Sequence, residues 1–335
     1  SSRRRMKRTA SCLLVLCLAL ATPLAAQVIK LGSLAPQGSP WDSALRRLAD
    51  DWSALSGGQI SLRIYPGGIA GDEPNMVRKI RINQLQAAAI TGVGLGSIHE
   101  GTFAVQLPLL IRTDEELQYV LARMEPTLNG MLAEKGFAML AWFVAGWAHF
   151  FSRTPAVTPA EMQRLKLQVD YAVPTITQAW KQMGFRVVPI ASTDVLPALQ
   201  SGMIDAFLLT PLAAAAAQWF GPARNMSELR VAPMVGGIIV SRRTWDAIPD
   251  ALKPELLQAL HRQLDRLRAE TEALEQEAVR IMVDNGLQIQ RVPPKVEAEW
   301  QRVMDEGLDL VTGSVISADT LAEVNRHLRE FRARR

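Results

Sequence analysis

The stretch that decides the fold is TPAEMQRLKLQVDYAVPTITQAWKQMGFRVVPIASTDVLPALQSGMIDAFLLT, residues 158–210. Its apolar residues switch between the two-residue period of a strand and the longer period of a helix. The pattern predicts strands and helices in alternation, at 165–169, 174–183, 186–190, 194–202 and 204–209. Because strands that alternate with helices pair in parallel, the stretch indicates an α/β domain.

Capping residues mark the boundaries within this stretch. Thr158, Pro159 and Glu161 predict a helix start, since a Thr cap and a Glu at the third position satisfy the first backbone amides. Asp194 is expected to cap the helix that ends near Gly202.

The flanking sequence continues the alternation of strands and helices. A helix predicted at 114–135 is interrupted near Pro126. Five alanines at 213–217 continue a helix that follows Pro211 and extends through residue 220. The segment GVGLG at 92–96 lacks the third glycine of a dinucleotide-binding motif and is expected to form a loop of close approach. One helix predicted at 250–285 would be about 50 Å long at 1.5 Å per residue, which is enough to span two domains.

Length and composition allow two domains. The chain has 335 residues, of which 48% are hydrophobic and 21% charged, as is typical of a soluble globular protein. Five of its 37 basic residues lie within residues 3–8; without them the 33 acidic residues leave a net charge of −1. A basic surface for nucleic acid therefore has no support.

The first 26 residues predict a signal peptide. They combine a basic start, an apolar run and small residues before an expected cleavage after Ala26. The alternative of a membrane anchor is weaker, because the apolar run is too short to span a bilayer. Cys12 and Cys17 both lie in this segment, so the mature chain would lack cysteine and disulfides. We expect a periplasmic protein.

Catalytic and metal-binding motifs are absent from the sequence. Neither G-x-S-x-G nor H-E-x-x-H occurs, and the four histidines are far apart: His99, His149, His261 and His327. We therefore predict a protein that is not an enzyme and that uses neither a metal nor a cofactor, although a catalytic triad can escape detection in sequence.

Three sets of motifs stand in an order that is typical of one family. The first two are Lys30-Leu31-Gly32 with Gln37-Gly38-Ser39-Pro40-Trp41, and Gly57-Gly58 with Pro66-Gly67-Gly68. The third is Thr158-Pro159, Leu165-Lys166-Leu167-Gln168-Val169 and Ala198-Leu199-Gln200-Ser201-Gly202. They resemble the extracytoplasmic solute-binding proteins of TRAP transporters, the DctP family.

This resemblance implies an α/β, two-lobed periplasmic binding protein fold of type II-like topology. Its lobes would be joined by crossing strands and spanned by the long helix. We expect lobe I with the spanning helix at 27–145 and 241–285, lobe II at 146–240 and 286–313, and a C-terminal helix at 314–335. A ligand would bind in the cleft between the lobes.

The chain departs from the family at two positions that often carry substrate-binding arginines. Gln168 stands where an Arg clamps a substrate carboxylate, and Ala148 where a second Arg makes contact. A neutral amide cannot replace the charged fork of Arg. We expect an uncharged or largely apolar ligand. The alternative is an organic acid held by another cation, for which Arg153, Lys166 and Arg186 are candidates.

We predict a ligand site built from strand ends, aromatic side chains and two acidic residues. Its candidate members are Gln168, Thr210, Trp147, Phe150, His149, Tyr171, Trp41, Glu73, Thr91, Asp194 and Trp219. The aromatic residues would supply contact area, and Gln168 and Thr210 would orient the ligand. Core packing is the alternative role for each tryptophan.

The resemblance also implies partners. A TRAP receptor delivers its ligand to membrane permease subunits, which must be other polypeptides. A subset of the family lacks the clamp arginine and works with a periplasmic tetratricopeptide-repeat protein, and this chain resembles that subset at Gln168 and Ala148. The long amphipathic helix would also allow a homodimer. The second hypothesis is a periplasmic enzyme or a sensor-linked binding protein on the same fold.

Overall fold

The computed structural model describes residues 26–334. Apart from Ala26, the predicted signal peptide lies outside these residues, so the signal and its cleavage remain predictions. Within the described range, none of the helices combines the length and the apolar character needed to cross a membrane.

The described residues form ten strands and twelve helices. The strands are β1 Gln27–Ser33, β2 Ile60–Tyr65, β3 Ala87–Thr91, β4 Phe137–Ser152, β5 Lys166–Val169, β6 Arg186–Pro189, β7 Ala206–Leu209, β8 Asn225–Ser227, β9 Ala232–Ser241 and β10 Gln288–Gln290. The helices are α1 Pro40–Leu55, α2 Glu73–Arg81, α3 Gly92–Ile98, α4 Asp114–Glu134, α5 Pro159–Gln163, α6 Pro174–Gln182, α7 Val195–Ser201, α8 Pro211–Ala216, α9 Arg242–Asp246, α10 Lys253–Asp284, α11 Pro294–Val311 and α12 Ala318–Arg332.

One long strand joins two halves of the sheet. The strand order is β2-β1-β3-β9-β4-β7-β5-β6, and β8 and β10 extend the second half from β4. The first part of β4 pairs with β9 and its last four residues pair with β7, so the strand crosses from one half to the other. β5 pairs in parallel with β6 and β7, as the sequence predicts. The expected two-lobed α/β fold with crossing strands is confirmed.

The helix α10 contributes to the cores of both halves. Its first turns place Leu256 and Leu260 in a cluster with Trp52 of α1, and its last turns place Met282 against Phe207 of β7. Its 32 residues extend about 48 Å, which is long enough to reach both clusters. The spanning helix is therefore observed, whereas the lobe boundaries drawn from the sequence remain predictions.

The GVGLG segment is the helix α3 and not a loop. Its glycines allow close packing: a Cβ on Gly94 would lie 2.8 Å from the Cβ of Ile90 and 3.0 Å from Oε2 of Glu73. The expected close approach is observed, but the segment is a helix where a loop was predicted. Glycine can occupy a helix whose neighbours leave no room for a side chain.

Three other local expectations are corrected by the structure. α4 continues through Pro126, which is exposed, while Met124 and Leu128 anchor the helix to the core on either side. The alanine-rich helix α8 ends at Ala216, before a left-handed Gln218. Asp194 ends a 3-10 turn and makes no side-chain capping bond.

The capping box at the start of α5 is present as predicted. The hydroxyl of Thr158 accepts a hydrogen bond from the Glu161 amide at 3.2 Å, and the Glu161 carboxylate accepts one from the Thr158 amide at 2.9 Å. This helix leads directly into β5, which carries Gln168 to the edge of the sheet.

Candidate ligand-binding cleft

A cavity of about 550 Å³ lies between the two halves of the molecule. Strand ends from both halves form its polar wall: Ser33 at the end of β1, Thr91 at the end of β3, Gln168 on β5 and Thr210 after β7. The carboxyl ends of parallel strands converge at one edge of a sheet, where α/β proteins bind their ligands. The crossing strand β4 contributes Ala145 to the same cavity.

Much of the remaining cavity wall is apolar and comes from helices. α1, α8 and α10 line it with small or aliphatic side chains: Ala44, Leu45, Leu48, Ala213, Ala216, Leu260, Leu264 and Leu267. The alanines of α8 leave open space because their side chains end at Cβ. The long helix therefore lines the ligand cavity as well as spanning the two halves.

Six of the eleven residues predicted for the site line this cavity: Trp41, Glu73, Thr91, Gln168, Thr210 and Trp219. They come from five different segments, which the fold brings together. Trp219 belongs to the turn after α8 and packs edge-on against Phe207 at 5.2 Å between ring centroids. Whether these residues contact a ligand remains a prediction.

Gln168 and Thr210 both make local hydrogen bonds. The Gln168 Nε2 donates to the carbonyl of Ile190 at 3.3 Å, so the amide is held along the edge of β5. The Thr210 hydroxyl accepts from the Ala213 amide at 3.3 Å and caps α8. Thr210 is fully buried, so its side chain shapes this wall of the cavity.

Glu73 carries a buried carboxyl group at the polar wall of the cavity. Its oxygens accept hydrogen bonds from the Thr91 amide at 2.9 Å, the Thr91 hydroxyl at 3.0 Å and the Gly94 amide at 2.8 Å. Burial raises the pKa of Glu73 to about 7, although these hydrogen bonds lower it. The nearby Asp170, whose own pKa is raised by burial, adds a smaller upward contribution.

Three predicted site residues lie on β4 but not at the cavity. Trp147 is buried in the core and donates its indole N–H to Asp114 at 2.6 Å, and Phe150 stacks on Trp300 with ring centroids 5.1 Å apart. His149 Nδ1 lies 2.8 Å from the Ser227 carbonyl, and burial lowers the pKa of this imidazole. Trp147 and Phe150 therefore fill the core, whereas Phe143 of the same strand lines the cavity.

Tyr171 and Asp194 also lie outside the cavity wall. The Tyr171 hydroxyl donates to Oδ2 of Asp72 at 2.6 Å, which links the loop after β5 to the start of α2 in the other half. Burial, followed by this hydrogen bond and the charge of Asp72, raises the pKa of Tyr171 to about 12. Tyr171 therefore bridges the mouth of the cleft instead of lining it.

Within residues 26–334, no Lys, Arg or His lines the 550 Å³ cavity, whereas Glu73 and Asp170 do. The cations proposed to replace the missing arginine are used elsewhere or lie outside the wall. Arg153 and Lys166 pair with Asp205 at 3.8 and 4.0 Å, and Arg186 is exposed. An anion placed in this cavity would find two carboxyl groups and no cation in the wall.

Sequence reasoning missed several members of the cavity wall. Asp170 stands directly after β5, so the rule that ligands bind at strand ends could have identified it. The residues Leu260, Gln263 and Leu264 of α10 gave no such signal, because a buried apolar stripe has the same spacing whether it faces a core or a cavity.

This fold, with a ligand-sized cavity at the junction of two halves, defines a two-lobed solute-binding protein. Residues 31–312 match the model of the bacterial extracellular solute-binding protein family 7, DctP. The match covers well over half of the chain, so the protein belongs to this family.

Curated relatives are distant in sequence. The sialic acid-binding periplasmic protein SiaP of Vibrio cholerae is 22% identical over 273 residues, covering 81% of this chain and 85% of that protein. A solute-binding protein of Chromohalobacter salexigens is 22% identical over 278 residues, covering 81% and 82%. A solute-binding protein of Roseobacter denitrificans is 25% identical, but the match spans 54% of its length.

Solved structures support the fold. A TRAP periplasmic solute-binding protein from Xanthobacter autotrophicus, solved with β-D-galacturonate, has a TM-score of 0.83 at 18% identity, covering 90% of this chain and 99% of that chain. A counterpart from Sulfurospirillum deleyianum, solved with succinate, has a TM-score of 0.82 at 19% identity, with the same coverage of both chains. At these identities the likeness concerns the fold.

Proposed function

We propose that this protein is the periplasmic receptor of a TRAP-type transporter and that its ligand is largely apolar and carries no carboxylate. The observation that carries the proposal is the wall of the main cavity, in which the described residues place carboxyl groups and no cation. The similarity between the fold of this chain and the solved TRAP solute-binding proteins supports the receptor role.

The physical argument concerns the burial of charge. Moving an ionised carboxylate out of water without a partner is expensive, and proteins that bind acids repay this cost with Arg or Lys. Gln168 supplies a neutral amide at the position that the family resemblance assigns to such an arginine. Contact with the apolar side chains of α1, α8 and α10 would instead stabilise a bound ligand by about 25 cal/mol for each Å² of its apolar surface that is buried.

An organic acid is the second candidate, favoured by one side chain behind the wall. Nε of Arg47 donates to Oε1 of Gln263, which lines the cavity, at 2.9 Å. The Nη2 of Arg47 is buried without a hydrogen-bond partner in the described structure and lies 3.8 Å from Glu270. A rotation of Arg47 past Gln263 would bring a cation to the cavity, and the related structures hold acids.

The proposed partners follow from the receptor role. The protein would present its closed, loaded form to membrane permease subunits. We retain the tetratricopeptide-repeat partner and the homodimer as proposals that rest on the clamp-lacking sequence and on the long helix. An enzymatic role would require turnover, so a receptor should return its ligand unaltered.

The first test is native mass spectrometry of the gently purified mature protein, followed by organic extraction. We expect one neutral or largely apolar molecule per chain. A bound dicarboxylate or sugar acid would contradict the ligand proposal while leaving the receptor role in place. In that case Arg47→Gln should abolish acid binding, and Arg46→Gln, an exposed neighbour, should not.

The second test restores the missing clamp. Gln168→Arg should create measurable succinate or galacturonate binding in calorimetry. It should also weaken the binding of the native ligand by at least tenfold, since an apolar ligand would have to displace water from the charged guanidinium without pairing with it. Gln168→Met is the matched control and should bind no acid. If Gln168→Arg leaves both ligands unaffected, the cavity described here is not the binding site.

A further inference from the structure

A second cavity of about 220 Å³ lies beside the main cleft. The two cavities share seven wall residues, namely Thr91, Val93, Phe103, Ile176, Trp180, Leu208 and Met234. All of them except Thr91 are apolar, so the boundary between the two spaces is mainly apolar. The remaining wall comes mainly from α6, α11 and the start of β9.

Small residues contribute to the wall of the second cavity. Ala148 of β4 lines it and is 3% exposed, and Gly307 of α11 also lines it. A Cβ on Gly307 would collide with the side chain of Met183. Ala148 is the position at which the family resemblance places a second arginine, and a long side chain there would fill the space.

One wall residue of the second cavity, Gln106, carries a buried donor without a hydrogen-bond partner among the described residues. Among the described residues its wall holds no charged side chain, and its polar side chains are Thr91 and Gln106. Oε1 of Gln106 accepts the Val235 amide at 3.2 Å, which fixes the orientation of the side-chain amide. Nε2 of Gln106 is then a buried N–H₂ group for which the described residues supply no hydrogen-bond partner. Leaving such a group unpaired is costly.

We infer that the ligand is elongated, extends from the main cleft into the second cavity, and ends there in an uncharged hydrogen-bond acceptor that binds Nε2 of Gln106. The acceptor would be a carbonyl or ether oxygen, because the surrounding wall offers no charge to pair with an ionised end. The inference rests on the proposed apolar ligand and adds to it the ligand's length and its terminal group.

Straight-chain methyl ketones of increasing length provide the test, measured by calorimetry on the mature protein after removal of any co-purified ligand. We expect the affinity to rise about fourfold for each added methylene until both cavities are filled. Ala148→Leu should end this rise at a shorter chain and leave short ketones unaffected. Ala145 lies three residues away on the same strand and lines the main cavity. Ala145→Leu should therefore weaken the binding of every ketone.

Gln106→Met tests the terminal hydrogen bond independently. It should weaken the binding of long ketones about fivefold, as expected for the loss of one hydrogen bond, and leave the binding of short ketones unchanged. Because this substitution also removes the acceptor of the Val235 amide, the thermal melting of each variant is measured alongside. If Gln106→Met does not fold, Ala148→Leu still decides whether the second cavity is occupied.

Two results would overturn the inference. One is a length dependence that ends at the same chain length in Ala148→Leu as in the unmodified protein, with short neutral ketones still bound. The ligand would then not enter the second cavity, and the proposed function would stand. The other is binding of succinate or galacturonate with no binding of ketones of any length, which would overturn the proposed ligand class as well.

Discussion

At the scale of single residues, the cavity combines neutral, apolar and acidic groups. Gln168 places an amide at the strand end, and Glu73 and Asp170 add carboxyl groups whose pKa values are raised by burial. The three hydrogen bonds to Glu73 hold the start of α3 against α2, so this residue also stabilises the fold. Its ionisation should therefore appear in the stability of the protein.

Burial of Glu73 predicts a pH-dependent contribution to stability. Its folded pKa of about 7 lies above its ordinary value of 4.5, so the folded state binds the proton more tightly. The contribution of Glu73 should be greatest below pH 4.5 and should decrease by about 3 kcal/mol as the pH rises to about 7. Urea unfolding at pH 5 and pH 8, for the unmodified protein and for Glu73→Gln, measures it.

Glu73→Gln is expected to flatten this dependence, since it cannot ionise. It should also be less stable than the unmodified protein at pH 5 by about 1–3 kcal/mol, because its amide N–H₂ would face one of the three donors. Parallel pH profiles for the two proteins would show that Glu73 does not carry the raised pKa.

At the scale of elements, α4 shows how tertiary contacts override a local signal. Pro126 lacks an amide hydrogen and would end an isolated helix. Here Leu121, Met124 and Leu128 are buried on the same side of the helix as Leu117, while Pro126 faces solvent. The burial of these side chains outweighs the lost hydrogen bond.

Pro126→Ala should therefore stabilise the protein. The expected gain is about 1–3 kcal/mol, because the substitution restores an amide donor and removes the ring without changing the core. Chemical denaturation measures the gain. Gly130→Ala is the matched control in the same helix: a Cβ there meets no atom within 4 Å, so its gain should be about 1 kcal/mol. A loss of stability in Pro126→Ala would mean that the helix bends around this residue.

At the scale of the whole molecule, the two halves are joined by strands, by α10 and by contacts across the cleft mouth. Tyr171 donates to Asp72, and the Thr175 hydroxyl donates to Oε1 of Glu100 at 2.9 Å. Both bonds link the region around α6 to the other half. Domain closure around a ligand would form them, and opening would break them.

Tyr171→Phe should shorten the lifetime of the loaded state. Loss of one bridging hydrogen bond of about 1 kcal/mol predicts ligand dissociation about fivefold faster, with a smaller effect on association. Stopped-flow release of the extracted ligand measures both rates. Thr175→Val, at the more exposed bridge, should give a smaller change; equal dissociation in all three proteins would show that the bridges do not hold the cleft closed.

The alternation of periods in residues 158–210 was sufficient to predict the α/β class, the parallel strands and the capping box at Thr158, because these depend on local spacing and local hydrogen bonds. The same analysis included Gln168, Glu73 and Thr91, which line the cavity, and their contact with a ligand stays a prediction. It misplaced Trp147 and Phe150, because an aromatic side chain on a strand has the same pattern whether its neighbour is a core or a cavity.

The sequence by itself determined most of the elements, the family and the neutral side chain at Gln168. Only the tertiary structure decided that α10 lines the cavity, that the described wall of this cavity lacks a cation, and that Ala148 opens a second cavity beside Gln106. The physical reason is that capping and periodicity act over a few residues, whereas a cavity is the space left between segments that lie far apart in the chain.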